Sequence, residues 1–125
     1  MHSFSYDAER NLLTVVQKDY WSMDEFRAYE RDYLAYHEQI RRQHRNYRVL
    51  ADCLDYPVQS ADVGATFALL FDRLMSENKG HCAVITLSAL NKMQAKRAIP
   101  YANVQIFAAV DQAMDWLFAE GSMAG

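Results

Sequence analysis

Tyr47-Arg48-Val49-Leu50-Ala51-Asp52-Cys53-Leu54 is followed by Asp55-Tyr56-Pro57 and then by Val58-Gln59-Ser60-Ala61-Asp62-Val63-Gly64. The first eight residues form a mostly apolar run of strand length, the pattern of a strand buried on both faces in a parallel sheet. Asp-Tyr-Pro ends it, because proline cannot donate to a ladder. Ser60 then stands as the N-cap of a helix extending to about Glu77. Val63, Phe67, Leu70 and Leu74 form its buried stripe, widened by Leu69 and Phe71. A buried strand feeding an amphipathic helix is one unit of an α/β domain.

The same alternation extends outward. Upstream, Phe4-Ser5-Tyr6 and Leu12 to Val16 flank a polar turn, which predicts an N-terminal β-hairpin. Ser22-Met23-Asp24-Glu25 is a capping box that opens a helix to about Gln43, with Phe26, Tyr29, Tyr33 and Ile40 at helical spacing. Downstream, Asn78-Lys79-Gly80 stops the second helix, with Gly80 suited to a left-handed residue. His81 to Leu87 forms a further buried strand. Ser88 caps a short helix from Ala89 to Ala98, Asn103 to Ala108 forms a last strand, and Asp111 caps a terminal helix near Gly121. The expected fold is α/β: a single mixed, mostly parallel sheet of about five strands, with four helices and an N-terminal hairpin, in one domain spanning 1–125.

At 125 residues, 51% of them hydrophobic, the chain can build a core without metals or disulfides. A net charge of −3 lacks the basic excess of a general nucleic-acid binder, so no nucleic-acid partner is expected. No run approaches the roughly 20 apolar residues of a membrane span. The first residues lack a basic region followed by an apolar core, so no secretory signal is expected and the expected location is cytoplasmic. Cys53 and Cys82 have no CxxC or histidine-rich neighbour and read as buried thiols; no metal and no cofactor are expected.

This order of elements resembles the SpoIIAA-like branch of the STAS family, named for anti-sigma factor antagonists and sulfate-transporter domains. The features carrying it are the hairpin Phe4 to Val16, the strand Val49-Leu50-Ala51-Asp52 closing on Asp55-Tyr56-Pro57, and the helix capped by Ser60. The resemblance implies a non-enzymatic, regulatory, protein-binding module of bacterial type. It places partner contacts at Asp55, Gln59, Ser60, Asp62 and Gly64. In anti-sigma antagonists a serine opening this helix is phosphorylated. Here Ala61 occupies that place, and Asp62 would repel a phosphate in the first turn, so the phosphoserine switch is not expected.

Ligands of open α/β sheets sit beyond the carboxyl ends of the strands. That edge gathers Asp52, Asp55, Ser60, Ser88, Asn91 and Lys92, with Lys96 one turn further on the same helix face. Asp52, Ser88, Asn91, Lys92 and Lys96 therefore form a candidate site for a small ligand or anion. The plain alternative is turn-forming aspartates, N-cap serines and a solvated basic helix. No Gly-rich phosphate loop and no G-x-S-x-G elbow occurs.

Three functions follow as expectations. The first is a protein-interaction module whose partner is another protein. The second is a carrier or sensor of a small apolar or acidic ligand, held between helix and sheet by Tyr29, Tyr33, Phe67 and Phe71. The third is an enzyme using Asp52, Asp55 and Lys92. Unpaired edge strands and the aromatic content also suit a homodimer.

Overall fold

The computed structural model describes residues 1–87, 93 and 101–120. Five strands form one mixed sheet in the order β1-β2-β3-β4-β5. β1 (His2–Asp7) pairs antiparallel with β2 (Leu12–Gln17), completing the expected hairpin. β3 (Arg48–Asp52), β4 (Cys82–Ile85) and β5 (Val104–Phe107) then add in parallel, each beside its predecessor. Helices α1 (Met23–Arg41), α2 (Ala61–Glu77) and α3 (Val110–Leu117) accompany them. The helix expected at 89–98 lies outside the described residues.

The sequential strand order explains where the helices lie. Right-handed crossovers that step in one direction put successive helices on one face of the sheet. α1 and α2 accordingly bury Phe26, Tyr29, Leu70 and Leu74 against Leu13, Val15, Val49 and Val84. α3 follows the last strand and covers the opposite face, where Ala113 and Leu117 meet Leu12, Leu50, Ala83 and Ile85. Inward residues alternate along β2 and β3, so one strand supplies both cores.

Several local expectations are corrected. Ser22 does cap α1, its hydroxyl accepting from the Glu25 N–H at 3.2 Å. The Glu25 carboxylate does not return to close the box; it pairs with the Met1 amine at 2.7 Å. α3 begins at an Ala109 cap with no side-chain bond, and Asp111 falls within its first turn. Leu69, expected on the buried stripe of α2, is 73% exposed. Phe118, which follows α3 and was expected on its buried stripe with Ala113 and Leu117, is partly exposed, with the Arg48 guanidinium 4.5 Å from its ring centre.

Gly80 is required for a different reason from the one expected. Its backbone is not left-handed; a Cβ there would stand 2.2 Å from the Tyr47 carbonyl oxygen. The glycine allows close approach of two chain segments rather than a turn. Cys53 and Cys82 are buried free thiols, as expected. Burial pushes both up to about 12, which keeps them protonated near neutral pH.

Candidate functional site

The loop from β3 to α2 is braced by hydrogen bonds at the carboxyl edge of the parallel strands. Asp52 ends β3, and its Oδ1 accepts from the Leu54 N–H at 3.1 Å, turning the chain. The Tyr56 ring packs edge-on against Trp21, with centroids 4.9 Å apart. The Asp19 N–H donates to the Asp55 carbonyl at 3.1 Å, joining this loop to the one after β2. Asp19 adopts a φ of 71°, a left-handed conformation that aspartate tolerates better than most residues.

Gln59 makes the central connection. Its Oε1 accepts from the Trp21 N–H at 2.8 Å, while its Nε2 donates to the carbonyls of Asp19 and Pro57 at 3.1 and 2.8 Å. Only 8% exposed, it turns inward. Gln59 thus positions the loop instead of forming part of its outer surface. Ser60 caps α2 by accepting from Val63 N–H at 3.2 Å, and Gly64 N–H enters the helix by donating to the Ser60 carbonyl.

Asp55 and Asp62 remain at the surface, and Gly64 is half-buried. The loop also exposes Leu54 (40%) and Val58 (41%), while Tyr20 and Leu87 are exposed on the loops after β2 and β4. These four apolar residues were missed because an apolar side chain in sequence reads as core. For Leu54 and Val58 the signal available was Pro57 between them, which marks the segment as irregular. The outcome is a fixed loop with apolar and acidic groups outward and its one amide inward.

The candidate ligand or anion site is only partly described. Asp52 is half-buried and engaged in its turn; Ser88, Asn91, Lys92 and Lys96 lie outside the described residues. The enzyme reading through Asp52, Asp55 and Lys92 therefore rests on a lysine whose place is not described. No group of three or more metal-ligating side chains occurs among the described residues.

The chain matches no family model and no curated protein. Between helices and sheet, where the carrier reading put its ligand, the aromatic rings pack on one another. Tyr29 stacks on Phe67 at 5.7 Å, Phe67 on Phe71 at 4.7 Å, and Tyr33 meets Phe71 edge-on at 5.9 Å. Tyr29, Tyr33 and Phe71 are buried, so this space is occupied by core.

A second polar constellation joins α1 to α2. The His37 Nδ1 lies 2.6 Å from the Tyr47 hydroxyl and its Nε2 lies 2.8 Å from Glu77 Oε1. Burial raises the Tyr47 hydroxyl well above the usual phenol range, so it stays protonated. Because the Glu77 carboxylate can only accept, Nδ1 of the neutral imidazole accepts from that hydroxyl. The imidazole then donates from Nε2 to the carboxylate. Tyr47 is fully buried, with no substrate access at its end of the chain. The arrangement fastens two helices to the start of β3.

No helix among the described residues is long and apolar enough to cross a membrane.

Proposed function

We propose that the chain is a non-enzymatic protein-interaction module of STAS-like type, which engages its partner through the β3–α2 loop. The observation carrying this reading is the braced loop itself. Gln59, Asp52 and Ser60 satisfy its backbone from within, and Leu54 and Val58 are exposed beside Asp55 and Asp62. A preordered surface loses less conformational freedom on binding than a mobile one. Apolar anchors rimmed by charge are the usual composition of such a surface. The element order β-β-α-β-α-β supports the family likeness, and alanine at position 61 leaves no hydroxyl for a phosphate switch there.

The test is affinity capture from native extract with the wild-type chain, Val58→Glu and Asp62→Lys, each verified as folded by circular dichroism. A partner held by the wild type and lost from both variants supports the reading. Equal capture by all three, or no stoichiometric partner at all, overturns it.

A further inference from the structure

β1 lies at the edge of the sheet, and its hydrogen-bonding phase fixes which of its groups face outward. Met1 N donates to the Lys18 carbonyl at 3.0 Å and Lys18 N donates back to Met1 at 2.9 Å, so these residues form a hydrogen-bonded pair. Antiparallel ladders alternate such pairs with non-bonded ones. In the observed register, Ser3, Ser5 and Asp7 therefore spend their backbone groups on β2. His2, Phe4 and Tyr6 turn their N–H and C=O groups away from it. Among the described residues only the Tyr36 hydroxyl reaches this row, donating to the Phe4 carbonyl at 3.5 Å.

Nothing in residues 2–6 blocks a new strand. Natural edges are commonly guarded by lysine, proline or a bulge; His2-Ser3-Phe4-Ser5-Tyr6 has none of these. Two open spaces flank Tyr36 between this edge and α1. One, of about 340 Å³, borders His2, Phe4 and Asp32; the other, of about 280 Å³, borders Tyr6, Gln39, Gln43 and His44.

We propose that this edge pairs with β1 of a second copy of the chain, antiparallel about Phe4, to make one continuous ten-stranded sheet. The sequence is close to palindromic there, ring-Ser-Phe-Ser-ring, so a two-fold axis sets Phe4 opposite itself and His2 opposite Tyr6. All three residues present outward backbone groups, giving about six main-chain hydrogen bonds, two for each opposed pair. The same axis brings the space beside Asp32 in one copy against the space beside Gln43 and His44 in the other. Asp32, whose Oδ2 lies 2.9 Å from His2 Nε2 within its own copy, thus faces the Gln43 amide and the His44 imidazole of the other.

Ser3 and Ser5 are exposed on the sheet face away from α1, and this register sets each opposite the other across the seam. Sedimentation equilibrium over a dilution series would compare wild type, Ser3→Lys/Ser5→Lys and Ser3→Lys/Ser5→Glu. The proposal expects a wild-type dimer, weakened about tenfold or more by two opposed lysine pairs and restored by two lysine–glutamate pairs. Near-UV circular dichroism should match for all three, since neither serine contributes to the core. A monomeric wild type overturns the proposal, and so does a dimer indifferent to the lysines. A dimer broken equally by both variants overturns the register.

Discussion

The side-chain amide of Asn78 pairs with the backbone of Tyr47 in both directions. The Tyr47 N–H donates to Oδ1 at 3.0 Å and Nδ2 donates to the Tyr47 carbonyl at 3.0 Å. Asn78 thereby substitutes for a strand neighbour at the point where β3 begins and α2 ends. The same Oδ1 accepts from Gly80 N–H at 3.1 Å, and Asn78 is wholly buried.

Asn78→Ala should therefore be among the most destabilising single changes in the chain. It leaves three buried backbone groups without their partner, at a cost of about 3–5 kcal/mol. Asn78→Asp keeps an acceptor, but loses the donor and buries a charge, so it should be no better tolerated. Urea unfolding of both variants checks this. A loss below about 1 kcal/mol for Asn78→Ala would show that the pairing contributes no more than an ordinary hydrogen bond.

Acid should weaken the fold through His37. Desolvation holds its imidazole below the ordinary value of 6.5, against the opposing pull of the Glu77 hydrogen bond; Arg41 and Arg73 act with the desolvation. The folded state therefore binds a proton less readily than the unfolded state. The stabilising contribution is present above the ordinary value and is lost as pH falls from 6.5 toward the lower folded-state value. Glu77, held low by His37, adds a loss in the same direction at more acidic pH. Unfolding free energies measured from pH 7.5 to 5 should fall more steeply for wild type than for His37→Gln. Parallel curves would show that another group carries the acid sensitivity.

What was legible in the sequence was local. Ser22 and Ser60 identify helix starts because a cap bonds a residue three positions ahead. Leu12 to Val16 and Val49 to Ala51 identify strands because short apolar runs bounded by turn residues are of strand length and suit a sheet buried on both faces. The failures came where a partner is distant along the chain. Nothing near Gly80 reveals that the Tyr47 carbonyl lies against it, and nothing near Asn78 or His37 reveals their partners. At the candidate site the sequence located the loop but inverted it. Leu54 and Val58 turned outward and the polar Gln59 inward, because three backbone groups there needed an amide.

That inversion makes Gln59 the residue on which the shape of the loop depends. Gln59→Ala strips a donor from two carbonyls and an acceptor from Trp21 N–H, at a cost of about 2–3 kcal/mol. The loss should be concentrated locally, since the residue joins two loops and contributes little to the sheet core. Amide hydrogen exchange should show Trp21 and Asp19 losing protection by more than tenfold while Val49, Ala51 and Val84 change only with global stability. Gln59→Glu restores the acceptor to Trp21 but neither donor, and it buries a carboxylate, so it should protect the Trp21 amide poorly. Unchanged exchange at Trp21 in Gln59→Ala would mean that the Tyr56 ring contact and the Asp19–Asp55 bond suffice to order the loop. Gln59 would then be a passenger, and the rigidity on which the interaction reading depends would have to come from those two contacts.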